Sequence, residues 1–247
     1  MDRYSEMLGL LGLSGSRDGE LAALLDGDEA RLGHPVPGEF RRFYETSGFI
    51  DRVGGWFSNI FEAPGRLRLH PLRSVGGSPC LWLATENQAV CDWMAPLDKG
   101  DDPPVYVVGE HFSGDTMVQY ASTLSDFLTA IAWDVAVLSP PPGVPVIHAQ
   151  AAELDLATLG WLRNRFDEGI KTRGWPCQAN YRFRRRDQAI ELWSCTSQCD
   201  WTIVAGSADS LEDLARDVLD LSDLTSSLWS NEPIGEALLE RVRTNVP

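Results

Sequence analysis

One stretch, Leu81 to Val108 (LWLATENQAVCDWMAPLDKGDDPPVYVV), constrains the fold more than any other. Three short apolar runs follow one another: Leu81–Ala84, Ala89–Trp93 and Pro104–Val108. The polar trio Glu86, Asn87 and Gln88 separates the first two, and the acidic stretch Asp98–Asp102 separates the second from the third. Runs this short, bounded by turn residues, predict strands. Asn at a reversal has a mechanism, because its short amide tolerates the left-handed region and bonds nearby backbone. Connections this brief join antiparallel strands, since parallel ones need a crossover of a dozen or more residues. The stretch therefore predicts a β-meander with polar turns.

Helical patterns surround it. A short helix is expected over Glu20–Leu32, with Leu21, Leu24 and Leu25 on one face. The next begins at Pro37, where Phe40, Phe43 and Tyr44 make one apolar stripe and Gly48 is placed to close the turn. Residues 49–65 are irregular and rich in large apolar groups. Arg66–Leu72 and Met117–Tyr120 read as strands. Thr123–Leu138 reads as a helix, with Thr123 and Asp126 as a capping pair and Phe127, Ile131 and Val135 as its buried stripe.

A Pro-rich run, Ser139 to Pro145, then breaks the pattern. The expected organisation is a domain over 1–138, a linker over 139–150 and an α+β extension or small second domain over 151–247. In the last part a helix is expected over Ala151–Phe166, with Leu156, Leu159 and Leu162 inward. Strands follow around turns at Arg186-Asp187-Gln188 and Thr196-Ser197-Gln198, and helices open at Ser210 and Pro233. The fold class is α+β: an antiparallel-rich mixed sheet flanked by helices, with a C-terminal β-hairpin-plus-helices extension.

The ordered set Leu32–Gly48, Glu86-Asn87-Gln88, Val90, Cys91, Trp93, Asp102–Val107 and Thr123–Leu128 resembles the SUKH superfamily over roughly residues 20 to 138. That superfamily includes the yeast Smi/Knr cell-wall regulators and many bacterial immunity proteins. The resemblance implies an antiparallel-rich sheet backed by helices. It also implies a binding protein rather than an enzyme: an immunity-type protein neutralising a cognate toxin, often a nuclease, or else a scaffold or regulatory module without a toxin partner.

Charge bears on the partner. The chain carries 21 basic and 36 acidic side chains, a net −15. Residues 1–140 hold 10 basic and 20 acidic groups (net −10), and residues 141–247 hold 11 and 16 (net −5). Phosphate backbones and anionic membranes are disfavoured by such a chain. A basic protein is attracted and steered; the plainer reading is that acidity keeps the chain soluble. Candidate partner-binding residues are the turn carboxylates Glu86, Asp98, Asp101 and Asp102.

Catalytic and metal signatures are sparse. No glycine-rich phosphate loop, HExxH or GxSxG motif occurs, and the four His (34, 70, 111, 148) are scattered. Asp98, Asp101 and Asp102 lack the Gly and terminal Glu of a calcium loop. Glu86 is a general acid or base only if it is buried in a cleft with a raised pKa. Arg182, Arg184, Arg185 and Arg186 read either as a phosphate site or, better, as a solvated strand face paired with acids. Cys80, Cys91, Cys177, Cys195 and Cys199 read as structural thiols, with Cys195 and Cys199 the only close pair. No cofactor is expected. No apolar run reaches membrane-helix length and the N-terminus lacks a secretory pattern, so a cytoplasmic location is expected.

Overall fold

The structure, a computed structural model, describes residues 2–109, 117–138, 140, 144–219, 221, 224 and 227–244. The chain divides into two compact units, Met1–Ala136 and Val137–Pro247. Among the described residues no helix is long and apolar enough to cross a membrane. His111 lies outside the described residues.

The first unit opens with α1 (Arg3–Leu11), which the periodicity reading did not include. Asp2 caps it by accepting from the Ser5 amide at 3.0 Å. Next, α2 (Gly19–Leu32) is capped by Asp18, which accepts from the Glu20 and Leu21 amides. Then α3 (Gly38–Tyr44) buries Phe40, Phe43 and Tyr44 completely. Gly48, at φ 79°, turns the chain in the left-handed region into α4 (Phe49–Val53).

Six strands follow: β1 (Ile60–Phe61), β2 (Leu69–Val75), β3 (Ser78–Thr85), β4 (Cys91–Pro96), β5 (Val105–Gly109) and β6 (Val118–Ala121). Their order is β1-β3-β4-β5-β6, with β2 also pairing β3, and every pairing is antiparallel. The expected meander is β3–β4–β5. Helix α5 (Leu124–Leu138) closes the unit's core. Trp93, Val105, Phe127 and Phe43 are all fully buried. Trp56, Trp93, Tyr120 and Phe127 form one aromatic cluster, with ring centroids 5.1 Å apart for Trp56–Trp93 and 5.8 Å for Trp93–Tyr120. The buried Trp56 indole donates to Asp134 at 2.9 Å, which satisfies both groups away from water.

The second unit corrects the expected linker. Residues 146–150 belong to β7 (Val146–Ala151), which pairs with β11 (Cys199–Ala205). The prolines stop before Val146, and Val146 and Ile147 are buried strand residues. The helix expected from Ala151 begins instead at Leu156 as α6 (Leu156–Arg165), because Asp155 caps the Thr158 amide at 2.6 Å. Leu156, at the first helical position, is 86% exposed, while Leu159 and Leu162 are buried. With β8 (Asp167–Glu168), β9 (Ala179–Arg185) and β10 (Gln188–Ser194) the sheet runs β7-β11-β10-β9-β8, all antiparallel. The expected hairpins β9–β10 and β10–β11 are present, and β7 and β8 extend them to a five-stranded sheet. Helices α7 (Ala208–Leu219) and α8 (Pro233–Thr244) join its core, which includes Phe183, Leu192, Ile203, Leu214 and Leu238.

Two further expectations fail here. Arg182 does not lie on a solvated face. It is 1% exposed, 3.8 Å from the equally buried Glu191 opposite it on β10, and donates to the Ile170 carbonyl and Thr172 hydroxyl. The segment around Gly169–Thr172 covers that face, with the Gly169 amide bonded to the Arg182 carbonyl. Cys177 and Cys195 are joined in a disulfide rather than standing as thiols. Strand register explains the pairing: Ala179 lies opposite Ser194, so the two chains run past each other just before β9 and just after β10. Cys80, Cys91 and Cys199 are free and buried.

Candidate functional site

The four candidate carboxylates occupy the two reversals at opposite ends of β4. Six residues at about 3.3 Å each set these ends about 20 Å apart.

Glu86 is 7% exposed and braces its own turn. Its Oε2 accepts from the Gln88 amide at 2.7 Å and the Val90 amide at 3.5 Å. Ala89, at φ 59°, completes the reversal. Asn87 ties this turn to the loop before β1: its amide donates to Asn59 Oδ1 at 3.1 Å, and its side chain donates to the Phe57 carbonyl at 2.7 Å. Phe57 and Ser58 both sit at positive φ in that loop. Glu86 therefore spends its lone pairs on backbone donors and does not belong to an exposed acidic surface. Burial raises the neighbouring Cys91 thiol far above its ordinary pKa, with Glu86 and Asp92 adding to the effect, which favours the neutral thiol.

Asp102 is a helix brace. Its carboxylate accepts from the Ser125 amide at 2.8 Å and the Ser125 hydroxyl at 2.7 Å. Thr123 caps the Asp126 amide at 3.0 Å as expected. Asp126 does not reciprocate; it pairs with Arg3 at 2.7 Å, and Asp102 supplies the second acceptor at the start of α5.

Asp98 and Asp101 differ from both. Each is exposed. Asp98 has Lys99 at 3.9 Å. The Asp101 carbonyl accepts from the Glu39 amide at 2.9 Å, and a Cβ on Gly38 would meet the Asp101 side chain at 3.2 Å. The backbone at Asp101 is thus held, while the Asp98 and Asp101 side chains are exposed.

A polar cluster that the sequence reading missed lies across β2, β3 and β4. Asp92 accepts from the Thr85 hydroxyl at 2.7 Å and faces His70 Nε2 at 3.5 Å. Burial pushes the Asp92 pKa up, and the bonds from His70 and Thr85 outweigh that and hold it below the usual carboxylate range. Arg68 stacks over Trp82 at 4.4 Å and pairs with Glu62. Among the described residues no three His, Cys, Asp or Glu side chains converge as a metal site. Comparison of the chain with family models, with curated proteins and with solved structures finds no match.

Proposed function

We propose that this chain is a non-enzymatic binding protein of the immunity type, which occludes a basic protein partner, a nuclease toxin fitting best. The observation that carries the reading is the Asp98–Asp101 reversal, where two exposed carboxylates stand on fixed backbone in a part of the chain with a net charge of −10. Such a surface meets the basic substrate groove of a nuclease, raises the encounter rate and repels free nucleic acid. The likeness to SUKH immunity proteins points the same way.

Affinity purification from the native cell, followed by measurement of binding between the two pure proteins, tests the proposal. The expected partner is basic, and its nuclease activity falls as this chain is added. A stable partner that is neither basic nor toxic favours the scaffold reading instead. The reading also places the protein in the cytoplasm, whereas disulfides persist mainly in oxidising compartments. Alkylation of protein trapped in intact cells decides: labelled Cys177 and Cys195 agree with a cytoplasmic site of action, and a blocked pair argues against it.

A further inference from the structure

The turn between β9 and β10 spends only two residues, Arg186 and Asp187, because Arg185 pairs directly with Gln188. Arg186 takes φ 56° there. Gly or Asn fills such a position at little cost, and a long β-carbon-bearing side chain does not. An outlier of this kind is a reason to ask what the side chain does.

Arg186 opens onto a cleft of about 800 Å³ within the second unit, within the range of small-ligand sites. All of the named lining side chains are polar or charged. Most are already committed. Arg185 holds Asp217 at 3.0 Å and Gln188 at 2.9 Å. Asp187 accepts from the Ser210 hydroxyl at 3.1 Å. Arg216 pairs with Glu212 at 2.7 Å through one of its nitrogens and keeps further donors. Two charges remain uncommitted: neither Arg186 nor Asp213 forms an ion pair among the described residues, and both are exposed.

We infer that this cleft binds a small zwitterion, a molecule carrying one carboxylate and one ammonium group. The carboxylate takes the fork of Arg186, with Arg216 as second donor, and the ammonium takes Asp213. A guanidinium matches a carboxylate through two parallel bonds, which an ammonium side chain cannot do. Asp213 disfavours a doubly charged anion, so phosphate and dicarboxylates fit less well. The charged groups recognise the carboxylate and the ammonium themselves, so the class is that of free amino acids.

Calorimetry and thermal melting of the full chain with glycine, glutamine and glutamate test this, against succinate (carboxylates alone), putrescine (ammonium groups alone) and inorganic phosphate. A saturable rise in melting temperature with at least one amino acid is expected, with weaker responses to the three controls. Arg186→Gly keeps the turn and relieves its backbone, so it melts higher than the parent while its affinity falls by about tenfold or more. Asp213→Asn, a surface change, leaves melting of the free protein unaltered and weakens amino acids but not succinate. No response to any amino acid overturns the inference. So does a response equalled by succinate or phosphate, or one that survives in both variants. The residues all lie in the second unit, so neither outcome bears on the toxin-binding proposal.

Discussion

The two sheets use the same antiparallel pairing and differ in regularity. In the first unit the register shifts three times: between Leu69 and Ser74, between Trp82 and Ala84, and between Val105 and Tyr106. In the second, β10 pairs with β9 and β11 over seven residues each without a shift. A bulge turns the strand and re-aims side chains; Leu83 and Ala84, adjacent on β3, are both fully buried at one such shift. The irregular sheet is filled by interlocked aromatic rings, and the regular one mostly by aliphatic side chains. Large rings concentrate more of the stability in each position.

Removing a ring from the cluster is therefore the harshest test. Trp93→Ala is expected to cost about 3–5 kcal/mol, while Ile190→Val in the regular sheet costs about 0.5–1.5 kcal/mol. Urea unfolding of both variants measures the contrast. Equal losses would mean that the first core relaxes around its gaps as easily as the second.

The second unit has its own vulnerable point in the Arg182–Glu191 pair, both residues 1% exposed. Arg182→Ala leaves a buried carboxylate without its cation and is expected to cost about 3–5 kcal/mol, whereas Arg182→Met combined with Glu191→Leu stays much nearer the parent. A double variant as unstable as the single one would show that the pair stabilises beyond its charge balance.

A smaller loss, about 1–3 kcal/mol, is expected for Glu86→Ala, which strips the acceptor from the Gln88 and Val90 amides. Hydrogen exchange at those two amides is the direct readout. Protection unchanged from the parent would detach Glu86 from the turn and reopen an active role for it.

Much of the scaffold was legible in the sequence. Alternation and turn residues mark β3, β4 and β5, and the stripe Phe40, Phe43, Tyr44 marks α3. What escaped depends on tertiary neighbours. Helix α1 buries only Met7 and Leu11, too few for a periodic signal. Strand β7 sits directly after prolines that suggested a linker. Alternation assigns Arg182 to the face opposite Phe183 but cannot say that residues 169–172 cover it. The disulfide follows from strand register, which no Cys spacing reveals. The candidate site shows the same limit: Glu86, Asp98, Asp101 and Asp102 look alike in sequence, and only the backbone amides within reach separate the two braces from the two exposed acids.

Acid should act on His148 and on Asp92 in different windows. Burial lowers the His148 pKa below its usual value near 6.5, so the unfolded chain takes up that proton first. Its contribution is complete above about pH 6.5 and is lost as pH falls through the lowered folded value. Asp92 in the first unit is depressed below a reference near 3.9, so its contribution is complete above about pH 4 and is lost only as pH falls through its folded value. Melting curves between neutral pH and pH 3 should show a first decline that His148→Gln reduces and a later one, shared with the other depressed carboxylates such as Glu45 and Asp155, that Asp92→Asn reduces. A single decline insensitive to His148→Gln would place the acid sensitivity elsewhere.

The smallest effect on stability, and the sharpest on function, is expected at the exposed reversal. Asp98→Lys with Asp101→Lys changes two exposed side chains, of which Asp101 only touches Gly38, and the backbone bond to Glu39 uses the Asp101 carbonyl and is kept. The change in unfolding free energy should stay within about 0.5 kcal/mol. Swapping two negative charges for two positive ones alters the local net charge by four, and a basic partner then meets a weaker attractive field. Rim charges act chiefly on association, so the on-rate should fall at low ionic strength while the off-rate changes little. Raising the salt toward physiological strength shortens the screening length to about 8 Å and should draw the two on-rates together. The conservative variant Asp98→Asn with Asp101→Asn should fall between them. Stopped-flow association at two salt concentrations separates the outcomes: a salt-independent difference would assign these residues to direct contact rather than steering, and identical rates throughout would move the interface to another face of the first unit.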